Sequence, residues 1–354
     1  MDKFEIALSQ HAAHLTRASS SAVSELLSVF DGETNAMLTQ LLGLLVELSE
    51  AERMAFAAGQ YTTSTLKEIR SLLDAWQSDL GDDIAELFAE QLDLFAAQEV
   101  EYINKLMKAS AMKTAPPIAA ATAITAAKKL PTSGGALVDE LLMSFSAKAR
   151  QQVLEQARNG IVSGATNEQI IRTLRGTKAN NYTDGLLNAS KRELALNVRT
   201  IRNHVSNVTY VETYKKSGAK YVQLVATLDS RTSKQCASFD GKRWRIDEWH
   251  PVPPLHPNCR SVLRPIFSKN EKLESNRPSN GDERGTVSAN VNFNQFLKQQ
   301  SADFQKEWLG TTRYKLWKEG KYPLDRFIDP LGKQYTLAEL RQRDEQTFKD
   351  LFDE

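Results

Sequence analysis

Residues 250–258 read HPVPPLHPN, four prolines in nine positions. Proline lacks a backbone N–H and holds φ near −65°, so this run can enter neither a helix interior nor a central strand. It must be an extended loop, and the chain on both sides has to be organised around it. Before it, "AKYVQLVATL" alternates, with Val222, Leu224, Ala226 and Leu228 on one face, which predicts a half-buried strand. "FDGKRWRI" places Asp240-Gly241 between β-favouring flanks, a hairpin signal. "SVLRPIF" after the loop predicts a short returning strand.

The rest of the chain reads as helix. "SAVSELLSVF", "AMLTQLLGLLVELSEAERMAFAAGQY" and "IAELFAEQLDLFAAQEVEYINKLMK" carry apolar residues every three or four positions, with breaks expected at Asp31-Gly32 and at Gly81-Asp82-Asp83. Residues 1–112 therefore read as an acidic helical bundle or a set of partner-docking helices. "KTAPPIAAATAITAAKKLPTSGGA", 113–136, lacks periodicity and reads as a linker with one short helix. Helical pattern resumes in "LVDELLMSFSAKARQQVLEQARNGIVSG" and in "TNEQIIRTLRG", where Thr166 is placed as the cap. From about Ser190, Leu194, Val198, Ile201, Val205 and Val208 form a packing stripe. Residues 137–267 thus form a helix-plus-small-antiparallel-sheet module. The polar stretch 268–291 reads as a flexible connector, and 292–354 as a helical extension with aromatic anchors. The fold class expected is α+β, predominantly α-helical.

Composition adds two constraints. No run of about 18 apolar residues exists, and the N-terminus has no apolar core behind a basic start, so neither a membrane span nor a secretory signal is expected. The net charge of +1 conceals a division: residues 1–110 hold 18 acidic and 7 basic residues, the remainder 26 and 38. Such halves tend to have different neighbours, the basic one near nucleic acid or an acidic surface.

Both cysteines of the chain fall inside 227–260, beside two of its five histidines. Two cysteines do not make a disulfide framework, and a reducing compartment during synthesis fits them. Zinc takes four N, S or O ligands, and Cys236, His250, His256 and Cys259 are candidates, although Cys236 and His250 lack the short paired spacing of zinc fingers. A catalytic Cys–His pair would need an orienting group and an oxyanion site, which no sequence displays. The favoured reading is a structural clasp, with or without a metal. Asp229 and Arg231 leave the strand, Asn258–Arg260 closes the proline loop, and arginine donors pin the irregular backbone.

The string "LDSRTSKQCASFDGKRW…PPLHPNCRSVLRP" resembles the signature of the phage Mu F-like minor head proteins, also called phage head morphogenesis proteins. The signature residues here are Asp229, Arg231, Thr232, Cys236, Asp240, Gly241, Pro253, Pro254, His256, Pro257, Cys259 and Arg260. "RELALNVRTIRNHVSN" is similar to the helix before the family's strand, and "WLGTTRYKLWKEGK" with "YTLAEL" to its C-terminal extension, so the likeness covers roughly 140–350. Many members carry a further cysteine directly after the Cys-Arg pair, where this chain has Ser261. The acidic N-terminal helices resemble no part of the family.

The resemblance implies a non-enzymatic minor capsid protein. It would act in procapsid assembly near the portal vertex and in DNA packaging or delivery. Its partners would be the portal protein, the major coat or scaffolding protein and packaged double-stranded DNA. It would reside in the virion interior or at the portal vertex, and in host cytoplasm during assembly. The alternative is an ADP-ribosyltransferase or toxin-type enzyme carried with the particle. "QEVE" (98–101) and "YTTSTLKE" (61–68) are the only segments suggestive of it, and both lie in helical pattern.

Overall fold

The computed structural model describes residues 4–132, 134–329 and 332–352, without the side chains of 16–18. It is 64% helical and 8% strand, the strands forming two small sheets, so the α+β, mainly helical class holds.

The N-terminal helices are α1 (Phe4–Ala18), α2 (Ser20–Glu47), α3 (Glu50–Ala57) and α4 (Ser64–Ala109). Neither expected break occurs: α2 runs through Asp31-Gly32 and α4 through Gly81-Asp82-Asp83. A mid-helix glycine costs about 1 kcal/mol against alanine, less than the burial of the stripes that continue past it. Phe30, Met37 and Leu41 lie on both sides of Gly32 in one buried row, as do Leu80 and Ile84 around Gly81. Gly81 also serves the packing, because a Cβ there would lie 2.6 Å from Met143 Cε on the helix α4 rests against. The true ends carry caps. Ser49 and Glu52 form a capping box at α3, and Thr63 Oγ1 accepts from Leu66 N at α4.

Next come α5 (Ala120–Lys129), α6 (Val138–Val162), α7 (Asn167–Arg175) and α8 (Asn188–Lys216). Within 113–136 the short helix expected there is α5, and it is docked on the bundle. Helix α5 packs between α4 and α8, with Ala123 and Ala127 buried and the Ala127 carbonyl bonded to His204 Nε2 at 3.1 Å. Its contact face is mostly alanine, with Ile124 the one large apolar residue packed on the core, so the helix carries a weak apolar signal in the sequence. One core runs from Leu15 to Val208, shared by α2, α4, α6 and α8. The α8 stripe Leu194, Val198, Ile201, Val205 and Val208 lies inside it, and Thr166 caps α7 in a capping box with Gln169.

After α8 the chain forms β1 (Tyr221–Val225), β2 (Leu228–Asp229), α9 (Lys234–Phe239), β3 (Arg243–Arg245) and β4 (Val262–Ile266), then β5 (Asn276–Asn280) and β6 (Arg284–Ser288). One antiparallel sheet has the order β3-β1-β4, with Val222 opposite both Trp244 and Pro265. The other has the order β2-β5-β6, with β2 parallel to β5. Three local expectations change. β1 is buried on both faces rather than one, since Gln223 and Val225 are covered as well as Val222 and Leu224. The Asp240-Gly241 turn joins α9 to β3 instead of two strands, because Ser233 caps a six-residue helix in front of it. The polar 268–291 stretch is not a flexible connector but holds the β5–β6 hairpin. Its strands pair over Asn276–Asn280 and Arg284–Ser288, and Arg277 forms an ion pair with buried Asp240.

The chain ends with α10 (Phe293–Gln299), α11 (Ala302–Leu309), α12 (Thr311–Lys318), α13 (Leu337–Arg343) and α14 (Glu345–Phe352). Phe293, Phe296, Trp308 and Phe327 form a cluster with Leu228 of β2 and Ala237 of α9, so the C-terminal helices brace the strand–loop region. No described helix is long and apolar enough to cross a membrane.

Candidate functional site: a clasp of paired charges around a cysteine–histidine cluster

Two aspartate–arginine pairs hold the turn region. Asp229, at the end of β2, receives a two-pronged bond from Arg260, Nη1 to Oδ2 at 2.6 Å and Nη2 to Oδ1 at 2.8 Å. Its Oδ1 also accepts from Arg231 N at 3.1 Å and Thr232 Oγ1 at 3.0 Å. The planar guanidinium matches a carboxylate fork, so the end of the proline loop is fixed in orientation as well as distance. Arg231 takes part only through its backbone; its side chain is exposed. Trp308 Nε1 donates to the Thr232 carbonyl at 2.9 Å, tying the C-terminal helices to the same corner.

Burial pushes the Asp229 pKa up, but the Arg260 bonds and charge, with Thr232 and the Arg231 amide, outweigh it and hold the carboxyl below its ordinary value. A depressed folded pKa contributes stability above the unfolded carboxylate range, and that contribution is lost as pH falls through the folded pKa. Arg260→Met should therefore cost about 1.5–3 kcal/mol at neutral pH. The deficit relative to wild type should shrink as pH falls below about 4, where Asp229 no longer needs a partner. Urea unfolding at several pH values measures this, and a deficit that stays constant with pH would contradict it.

The second pair was not legible beforehand. Asp240, which follows α9, meets Arg277 of β5, with Nη1 2.9 Å from Oδ2 and Nη2 3.0 Å from Oδ1. Asp240 Oδ1 also accepts from Ala226 N at 2.7 Å, while Arg277 donates to the Ala226 carbonyl and to Val291 O. Gly241 beside it has φ +80°, a left-handed conformation that favours glycine, and its N–H bonds Leu224 O at 2.9 Å. In the proline loop Pro253 and Pro254 are buried and joined by a cis peptide bond, whereas Pro257 is exposed.

Between these pairs three of the four candidate metal ligands converge. Cys236 sits in the first turn of α9, where Ser233 Oγ accepts from its backbone N–H at 3.1 Å. His256 and Cys259 occupy one turn of the loop, closed by Cys259 N to His256 O at 3.1 Å. Cys236 Sγ lies 3.1 Å from His256 Nε2 and 3.6 Å from Cys259 Sγ. The Cys236 thiol is drawn down to about 7, chiefly by its bond with Cys259, with Ser233 and Ser261 assisting against burial. Cys259 is pushed well up, first by the same bond and then by burial. His250, the fourth candidate, is not in the group. Its Nδ1 bonds Glu248 O at 2.8 Å, and it lines a separate groove with Trp249, Val252 and Leu255. His250 is held at that groove by its bond to Glu248, which the spacing of the four candidates along the sequence cannot show.

Several contributors carried little or no sequence signal. Asn203 on α8 donates to Cys259 O at 2.7 Å, and Arg277 lies in a stretch of ordinary polar composition. Ser233, three residues before Cys236, was readable as a helix cap. The "QEVE" carboxylates both fall on α4. Glu99 is buried against His11, Ser206 and Tyr210, while Glu101 is exposed beside Lys105. Thr63 of "YTTSTLKE" is the α4 cap.

Residues 151–264 match the family model described as Phage Mu protein F like protein, a span from α6 to β4 that contains Asp229, Cys236, Asp240, His256, Cys259 and Arg260. No curated protein and no solved structure matches the chain. The matched span excludes α1–α5, Arg277 and everything after β4, including the C-terminal segments whose sequence resembles the family's extension. The 151–264 segment, which carries the strand, the cysteine, the Asp-Gly turn and the His-Pro-Asn-Cys-Arg closure, is thus similar to the phage Mu F-like family.

Proposed function

We propose that the chain is a minor head protein of a tailed bacteriophage, acting in procapsid assembly near the portal vertex. The family match over 151–264 carries this reading. The chemistry of the clasp agrees with it: Asp229, Asp240, Arg260 and Arg277 are engaged with one another and with backbone, as in a scaffold. The acidic N-terminal helices supply the docking face. Asp79, Asp82, Asp83, Glu86, Glu90 and Asp93 are all exposed along α4, a surface suited to a basic patch on portal or coat protein. The basic remainder then faces packaged DNA, binding phosphates with a salt-dependent affinity.

The test is cross-linking mass spectrometry on procapsids and mature particles of the source phage, with a carboxylate-reactive linker suited to α4. Cross-links from α2 or α4 to the portal protein are expected. Absence of the chain from both particles would overturn the head-protein reading. The intact chain is the material for the DNA arm, since its core joins the N-terminal helices to α6 and α8. Duplex DNA affinity should fall linearly on a log–log salt plot, and no salt-sensitive binding would remove DNA from the partner list.

A further inference from the structure

We infer that Cys236, His256 and Cys259 bind a zinc ion. Their ligand atoms all lie within 4.8 Å of one another, although Cys236 comes from α9 and the other two from the far side of the proline loop. The 3.6 Å between the sulfurs is far longer than a disulfide, which needs about 2.05 Å. It is close to the edge of a zinc tetrahedron, which bonds of about 2.3 Å to each sulfur place near 3.8 Å. His256 Nδ1 bonds the Pro257 carbonyl at 2.8 Å. A carbonyl can only accept, so the proton sits on Nδ1 and the Nε2 lone pair faces Ser233 Oγ at 2.8 Å and Cys236 Sγ at 3.1 Å. This carbonyl-anchored imidazole is the outer-shell arrangement that orients zinc-bound histidines.

The remaining groups hold the ligands in place without the ion. Asn258 takes a left-handed φ of 58°, which closes the His256–Cys259 turn, and Asn203 holds the Cys259 carbonyl. Both cysteines are buried, and two thiolates on one Zn²⁺ are neutral together, which a buried site tolerates far better than bare thiolates. Beside them is a pocket of about 20 Å³ lined by Thr227, Arg231, Ser233, Asn258 and Ser261, among others. That is room for about one water, which takes the fourth position. The ion would lock the proline loop onto α9 from inside the clasp, complementing the Asp229–Arg260 pair outside it. This inference does not depend on where in the phage particle the chain acts.

The test uses the full chain, purified under reductant, given excess zinc and dialysed, with metal content read by elemental analysis. About one zinc per chain is expected, retained by His250→Ala and reduced about tenfold or more in Cys236→Ser, Cys259→Ser and His256→Ala. Wild-type content below a tenth of an equivalent, equal content in the cysteine variants, or loss in His250→Ala would each overturn the site. Cobalt(II) titrated into wild type gives a second readout that needs no variant to fold. A thiolate-to-cobalt charge-transfer band with tetrahedral d–d absorption is expected, and their absence defeats the proposal.

Discussion

Arg277→Met is expected to destabilise the protein by about 3–5 kcal/mol, because it leaves Asp240 buried without its counter-ion. Arg277 is 2% exposed and touches three segments at once: the Ala226 carbonyl at the β1–β2 corner, Asp240 at the end of α9, and Val291 O before α10. Removing both charges should recover much of the loss, since burying a matched pair is itself costly. Urea unfolding of Arg277→Met, Asp240→Leu and the double variant closes a double-mutant cycle. A single-variant loss below about 1 kcal/mol, or strict additivity, would show that the pair does not join the two sheets.

A comparable loss, about 3–5 kcal/mol, is expected for Glu99→Ala. Glu99 on α4 accepts from Ser206 Oγ and Tyr210 OH, both at 2.6 Å, and bonds His11 Nε2 at 2.8 Å. The substitution therefore leaves two buried hydroxyls and an imidazole without their acceptor. Helix α1 would suffer first, because His11 loses its tie to α4, while the buried Glu5–Arg264 pair and the Tyr102 OH bond to the Ala7 carbonyl remain. Hydrogen exchange should show α1 opening before α4 and α8. Glu99→Gln keeps an acceptor oxygen and should lose clearly less. Burial and the Glu99 charge together push Tyr102 up to about 12, so Tyr102 should titrate lower in Glu99→Gln while remaining above an exposed tyrosine. An unchanged Tyr102 titration would place the Glu99 charge elsewhere.

The glutamate has a second lesson. Read as a short motif, "QEVE" suggests paired catalytic acids. On α4, residues two apart point in different directions, so Glu99 enters the core and Glu101 stays in water. The helical periodicity of the surrounding sequence already contained that answer. The breaks expected at Gly32 and Gly81 failed for a related reason: glycine reports a local preference of about 1 kcal/mol, and the packing stripe on either side is worth several times more.

What the sequence by itself determined is whatever depends on near neighbours. The α8 stripe, the Thr166 cap, strand β1, the returning strand β4 and the proline loop all follow from periodicity, capping chemistry or the missing proline N–H. The ordered motif from Asp229 to Arg260 also marks the module in the sequence alone. Only the tertiary structure decided which of those residues meet. Arg277 replaced solvent as the partner of Asp240 across 37 residues, His250 was turned away from the cysteines, and α5 was packed mainly through alanines. Such pairings depend on the path of the chain between distant segments, and neither composition nor spacing encodes that path locally.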